Sequence, residues 1–245
     1  MNKKTLFLLI SFGLITVNLE AFYNRGQIES EIRREMNDDT SDTSLQKWTD
    51  SELDARIDMA QEDIVMRTRC IVSKSTIATT CGTMEYELPD TCLVPSRVMY
   101  DTDGSSSTRK YIQLNYKTMA ELDRDYSGWD NNTSSSTPHS YYYRANYVGI
   151  YPAPDFKHSD IYGDIRLNYV LRPSTFTSDT DVPFNDYRHL YPYHQTIIWY
   201  VCALCSKDEG DSTMMTFYWQ KYISDIALMI ERLNNIPGKD GGISR

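Results

Sequence analysis

The chain has 245 residues, 40% of them hydrophobic, with a net charge of −9 and 19 tyrosines. This composition is that of a globular protein large enough to bury an ample core, in one large domain or two small ones. The negative charge argues against binding to a phosphate backbone, which needs clustered Lys and Arg. The five cysteines are too few, and odd in number, for a disulfide framework.

The first residues have the three parts of a secretory signal. Lys3 and Lys4 precede an apolar run over residues 6–17, and a small-residue cleavage site follows at Ala21. The run is too short for a membrane span, which needs about 20 apolar residues. Two interpretations of residues 1–26 remain open: a signal peptide removed on export, or an extension that packs on the protein or a neighbour.

Two helices are predicted next. Residues 27–36 are amphipathic, and a longer helix starts at Trp48-Thr49-Asp50-Ser51-Glu52-Leu53 and runs to about Arg67. Thr49 and Glu52 have the spacing of a capping box. An apolar stripe with helical spacing supports the second helix: Leu53, Ile57, Ala60 and Ile64.

Residues 71–180 are predicted to be mostly β structure. Apolar residues alternate near 84–88, 98–100, 112–116, 141–150 and 165–171, which indicates about five short strands in an antiparallel sheet or small sandwich. Pro152 and Pro154 end the fourth run, because proline cannot donate ladder hydrogen bonds. A short helix is predicted over 118–125, and a flexible polar loop over 127–137.

A linker over 176–185 leads to two closing helices, at about 187–207 and from Asp211 or Ser212 to about 234. The predicted fold is therefore α+β. We expect residues 27–70 and 185–235 to form one helical bundle, residues 71–184 an inserted β-rich lobe, and residues 236–245 a flexible tail.

The Cys202–Cys205 pair is the strongest chemical motif. A redox pair needs the N-terminal end of a helix, which lowers the thiol pKa, whereas this pair lies near a C-terminal end. A zinc site would need a second pair, and Cys70, Cys81 and Cys92 lack the spacing. His189 and His194 are five residues apart and share a helix face poorly. Core packing is the favoured interpretation, so we predict no metal, and a zinc- or thiol-dependent enzyme remains an alternative.

Other motifs predict no catalysis. The acidic residues Asp179, Asp181 and Asp186 lack the glycine and bidentate glutamate of a calcium loop, so we interpret them as turn residues. Residues 131–134 contain glycosylation sequons, which matter only in a secretory setting. Phosphate-loop, nucleophile-elbow and zinc-protease motifs are absent from the sequence. We therefore predict no cofactor, and a structural or binding role rather than an enzyme.

The order of elements resembles the head–tail adaptor, or connector, proteins of short-tailed bacteriophages over about residues 27–233. The capped helix at Trp48 is followed by an ordered set of four segments and the 179–183 linker before the closing helices. The four segments are Tyr86-Glu87-Leu88-Pro89, Tyr141-Tyr142-Tyr143-Arg144, Ile150-Tyr151-Pro152-Ala153-Pro154, and Leu167-Asn168-Tyr169 with Arg172-Pro173. The hydrophobic first residues depart from the family pattern.

The resemblance implies a virion protein, assembled in the host cytoplasm, that forms a ring, commonly of twelve copies. Its expected partners are the portal protein, tail or nozzle proteins, and DNA that passes through the bore without specific binding; no membrane is expected. Tyrosines suit the contacts between neighbouring copies, and the candidates are Tyr141, Tyr143, Tyr147 and Tyr151. The main alternative is a secreted or envelope-anchored surface-binding domain of a bacterium, which the signal-like start favours.

Overall fold

The computed structural model describes residues 23–102, 110–131, 135–154 and 163–235. These residues form α-helices together with antiparallel and mixed sheets, so the predicted α+β class is confirmed. The signal-like segment up to residue 22 and the predicted tail over 236–245 lie outside the described residues. So do most of the sequon segment and part of the predicted polar loop.

Four of the helices begin directly after a capping residue. Helix α1 (Arg25–Glu35) is capped by Asn24, α2 (Asp50–Thr68) by Thr49, α3 (Met119–Asp125) by Thr118 and α5 (Ser212–Asn234) by Asp211. In α2 the Thr49 side chain accepts from the Glu52 N–H while the Glu52 carboxylate accepts from the Thr49 N–H, so the predicted capping box is confirmed. The local sequence therefore fixes these helix starts.

The fourth helix starts later than predicted. Residues Arg188–Tyr193 form a 3-10 helix, and the α-helix α4 extends over His194–Asp208. Pro192 lies inside the 3-10 segment rather than in the first α-helical turn. Proline disfavours the α conformation in the residue before it, which explains the later start. Shorter 3-10 turns lie at Thr43–Leu45 and Trp129–Asn131.

Helices α1, α2, α4 and α5 share one hydrophobic core. Helix α4 contacts each of the other three, and α2 also contacts α5. The predicted apolar stripe of α2 faces this core. The buried residues of α1 and α5 face it too, whereas Met215 of α5 is only half-buried. The core also contains Ile71 and Val170, which lie where the sheet region joins the helices.

The first sheet has the strand order β1-β8-β3-β4 and is antiparallel throughout. Its strands are β1 (Val72–Ala78), β8 (Asp164–Leu171), β3 (Cys92–Asp101) and β4 (Tyr111–Gln113). Strand β8 has strands on both sides, and its buried residues alternate with less buried ones. The predicted strand over 165–171 is confirmed. Strand β1 was not predicted individually.

The second sheet has the order β2-β7-β6-β5, with β2 (Glu85–Glu87), β7 (Tyr147–Tyr151), β6 (Ser140–Arg144) and β5 (Asn115–Tyr116). The single strand predicted over 141–150 is wrong: this run is a hairpin of β6 and β7. Ala145 has a φ of 50°, and this left-handed conformation reverses the chain. The number of strands is therefore larger than predicted, and the parallel pairing of β5 with β6 corrects the purely antiparallel prediction.

The β region has layers in a defined order. Residues of both sheets meet in one core, which includes Val98 and Leu167 from the first sheet and Val148 and Ile150 from the second. The other side of the second sheet carries a separate cluster, in which Tyr142 and Tyr151 pack with Leu122, Trp129 and their neighbours. The layers therefore run from the first sheet through a core to the second sheet, and then to α3.

Candidate subunit interface

The four predicted interface tyrosines lie on one hairpin and differ in exposure. Tyr141 and Tyr143 are on β6, and Tyr147 and Tyr151 are on β7. Tyr141 and Tyr151 are buried inside the subunit, Tyr143 is half-buried, and Tyr147 is 42% exposed. Of the four, Tyr147 therefore presents the most surface to another molecule, while Tyr141 and Tyr151 pack within the subunit. Whether the set contacts a neighbouring copy stays a prediction.

An aromatic group at the β5 edge joins two of these tyrosines to a residue that the sequence did not single out. Tyr116 is 54% exposed, and its ring centroid lies 5.5 Å from that of Tyr141 and 5.9 Å from that of Tyr143. The Tyr143 hydroxyl is buried and lacks a hydrogen-bond partner among the described residues. Burial raises the pKa of Tyr143 well above its usual range. Tyr116 extends this buried pair to the surface.

The second sheet is covered on its far side by aromatic packing around Gly149. The Tyr142 ring lies over Gly149, its cross-strand partner, where a Cβ atom would overlap the ring. Trp129 meets the Tyr142 ring edge-on at 4.9 Å, and the Trp129 Nε1–H donates to Asp123 at 2.7 Å. This contact attaches the segment after α3 to the sheet. The sequence signal for it is the lone Gly149 in an aromatic strand.

Exposed apolar side chains are concentrated on α5. Lys221 lies over two aromatic rings, with its Nζ 3.9 Å from the Trp199 centroid and 4.4 Å from the Phe217 centroid. The buried stripe of this helix consists of Tyr218, Tyr222, Ile226, Met229 and Leu233. The apolar residues outside that stripe were the available signal, and those with exposed side chains are Met214, Phe217, Trp219, Ile223 and Leu228.

The two cysteines of the pair are buried in the helical core. Burial raises the pKa of Cys202 and raises that of Cys205 to about 11, so both thiols are protonated at neutral pH. Arg56 Nη1 donates to the Cys205 sulfur at 3.1 Å. The described part of the chain holds no group of three His, Cys, Asp or Glu side chains arranged for a metal. The arrangement supports packing rather than nucleophilic or zinc chemistry.

His194 is a buried structural histidine. Its Nδ1 accepts from the Tyr23 N–H at 3.2 Å, so its Nε2–H donates to the Pro183 carbonyl at 3.0 Å. These two bonds fit a neutral ring, and burial lowers its pKa. His194 therefore joins the start of α1 and the linker to α4. His189 lies five residues earlier, in the 3-10 helix.

The predicted acidic cluster acts as turn and pairing residues. The Asp181 carboxylate accepts from the Thr177 and Ser178 N–H groups, and these bonds lower its pKa. Asp179 forms an ion pair with Arg25, and Asp186 is exposed. The cluster holds the linker against α1, because the Arg25 and Gly26 N–H groups donate to linker carbonyls.

A comparison with known protein families gives a match over most of the chain. The family described as SU10 adaptor protein matches residues 23–238. The chain belongs to the SU10 adaptor protein family. It is a structural adaptor of a phage, so the resemblance inferred from the ordered segments is confirmed. The adaptor matches no protein among those with curated annotation.

The match places the described structure within the family from its first residue, Tyr23, onward. Residues 1–22, which departed from the expected pattern, precede the matched region. Among the described residues of the adaptor, no helix combines the length and apolar character that crossing a membrane requires.

Proposed function

We propose that the adaptor assembles into a closed ring between the portal and the tail of the virion, with DNA passing through its bore. The observation that carries this proposal is the family match over residues 23–238. Twelve copies is the number that the resemblance to head–tail adaptors implies. The partners would be neighbouring copies, the portal protein, and tail or nozzle proteins.

A ring requires two different and complementary surfaces on each copy, because a head-to-tail contact closes by rotation. The exposed apolar side chains of α5 offer one such surface in the helical region, and Tyr116 at the β5 edge offers another in the β region. We propose that Tyr147, the most exposed of the four predicted tyrosines, contributes to a contact between copies, and that Tyr141, Tyr143 and Tyr151 act by holding the hairpin in place.

The helices would form one bundle that carries the β region as an inserted lobe. In support, α1, α2, α4 and α5 share one core, while the sheets form cores of their own. The chain passes between the two regions twice, at residues 69–71 and through the linker before α4. Residues 27–70 and 185–235 would then belong to the bundle, and residues 71–184 to the lobe.

The proposed contact with DNA is non-specific. A bore rich in Lys and Arg would hold the duplex through its phosphates, whereas a net charge of −9 favours a bore that does not grip it. The adaptor would therefore act as a conduit without catalysis, and its place would be the virion. Two buried, protonated thiols in the Cys202–Cys205 pair favour this role over a thiol-dependent enzyme.

Single-particle imaging of the purified adaptor with its portal tests the proposal. We expect closed rings seated on the portal, with an acidic inner surface. An adaptor that stays monomeric and does not bind the portal would overturn the ring, and a bore lined with Lys and Arg would overturn the charge argument alone. N-terminal sequencing of the virion protein tests export separately, since a chain starting near Phe22 would indicate a cleaved signal.

A further inference from the structure

The outer face of the first sheet carries three basic side chains on three neighbouring strands. Lys74 on β1 and Arg97 on β3 both pair with Asn168, which lies between them on β8, and Arg166 is two residues away on β8. Because Val98 and Leu167 face the core, Arg97 and Asn168 face the opposite side. With neighbouring strands about 4.8 Å apart, the backbones of Lys74 and Arg97 lie about 10 Å from each other across β8.

None of these three cations forms an ion pair with a described residue. By contrast, Arg144 on the second sheet pairs with Glu85, and Arg172, just beyond β8, lies 3.8 Å from Glu62. Lys74 and Arg97 are exposed, and the Arg166 guanidinium lies 3.7 Å from the centroid of the Tyr111 ring. Two carboxylates share this face at the end of the sheet away from Lys74 and Arg97. Asp164 lies two residues from Arg166 on β8, and Asp101 follows Tyr100, the partner of Ile165, on β3.

The opposite side of the β region is acidic. The layers end there in α3 and the 3-10 turn Trp129–Asn131, where Asp123 and Asp130 are exposed. Asp123 accepts only from the Trp129 ring and Asp130 only from the Asn131 amide, so neither carboxylate is neutralised by a cation of the described chain. The nearby cations Lys117 and Arg124 both pair with Asp125.

We infer that the basic face formed by Lys74, Arg97 and Arg166 docks against the acidic α3 face, around Asp123 and Asp130, of a neighbouring copy. The two faces lie on opposite sides of the same β region, which is the placement that a head-to-tail ring needs. Single exposed ion pairs stabilise little, so several charges act together in orienting the contact. This inference rests on the ring proposed above and adds which surfaces meet.

Charge reversal on either face tests the contact. The variant Lys74→Glu/Arg97→Glu reverses the basic face. The variant Asp123→Asn/Asp130→Lys reverses the acidic face, while the amide introduced at position 123 keeps an oxygen acceptor for the Trp129 ring. We expect each variant alone to need a concentration at least about tenfold higher than the wild type for ring assembly, measured by analytical ultracentrifugation at low salt.

A mixture of the two charge-reversal variants provides the decisive test. In an equimolar mixture each reversed basic face meets a reversed acidic face, and each native basic face meets a native acidic face. Alternating rings should therefore assemble at a concentration within about threefold of the wild type. Mixtures that fail to assemble would overturn the inference, and so would single variants that assemble as the wild type does.

Matched controls separate charge from position. Arg188→Glu/Lys207→Glu and Asp39→Asn/Asp186→Lys make the same net changes at exposed residues away from both faces, and they should assemble normally. Circular dichroism checks folding, and the milder Lys74→Gln/Arg97→Gln variant should weaken assembly by an intermediate factor. A basic-face variant that assembles normally but loses binding to duplex DNA would reassign the face to nucleic acid. A wild-type protein that forms no ring would instead overturn the proposed function.

Discussion

The Tyr142 ring lies directly over Gly149 on the neighbouring strand, and no side chain fits between them. The ring then supports Trp129, which ties the segment after α3 to the second sheet. This pair therefore controls the position of the acidic face.

Replacing Gly149 with alanine should displace the Tyr142 ring. The added methyl group overlaps ring atoms that are held by Trp129, so we expect the free energy of unfolding to fall by about 1–3 kcal/mol. Urea unfolding measures the loss. In the background Tyr142→Ala the same substitution should cost much less, and an equal cost in both backgrounds would show that the overlap is not the cause.

Replacing Arg33 should destabilise the helical region strongly. Its buried guanidinium donates to Glu29, Asp38 and Asp50 and to the Trp48 carbonyl. Removing it leaves these carboxylates close together without their cation, so Arg33→Met should lower the free energy of unfolding by about 3–5 kcal/mol. The neighbouring Arg34 is exposed and pairs only with Glu31, so Arg34→Met should cost less than about 0.5 kcal/mol. Similar losses for the two variants would contradict the role of the buried network.

Stability should fall as the pH drops below about 6.5, the ordinary pKa of histidine. Burial lowers the folded-state pKa of His194, so between this value and 6.5 the unfolded chain binds the additional proton. The stabilisation is complete above pH 6.5 and decreases at up to about 1.4 kcal/mol per pH unit below it. Urea unfolding at pH 7.5 and 5.5 measures the slope.

The variant His194→Gln isolates this contribution to the pH dependence. Partial desolvation and the nearby Lys117 also lower the pKa of His139, although this residue is exposed, so His139→Gln serves as the control. We expect the His194 variant to flatten the slope more, because His194 is buried whereas His139 is exposed. An unchanged slope in the His194 variant would exclude it as the source.

The cysteines should differ widely in reactivity towards a thiol reagent at pH 8. Cys81 is exposed and should react within the mixing time, while Cys70, Cys202 and Cys205 are buried and should react only as the protein opens. All five should react quickly in denaturant. Fast labelling of Cys202 or Cys205 in the native protein would support the alternative of a thiol-dependent enzyme. Loss of stability on adding a chelator would support a zinc-dependent one.

The candidate interface was only partly predictable. Aromatic richness pointed to the hairpin of β6 and β7, but it could not separate Tyr147, which is exposed, from Tyr151, which packs under α3. A single strand over residues 141–150 predicts the wrong face of the sheet for these tyrosines. The turn at Ala145 and Asn146 lacks the glycine that usually marks a hairpin, so no local signal indicated the reversal.

Local interactions explain what the sequence alone determined: the starts of α2, α3 and α5 and the alternation of β8. A capping box joins residues three positions apart, and a half-buried strand alternates apolar with polar residues. Both patterns can therefore be recognised within a short stretch of sequence. Tertiary structure alone decided that the polar segment of β1 is a strand, because its partner β8 lies about ninety residues away. It also decided that Lys74 and Asp130 lie on opposite sides of one layered region. Which side of a strand is buried depends on the distant residues that fill the core between the sheets, and no local sequence pattern specifies those residues.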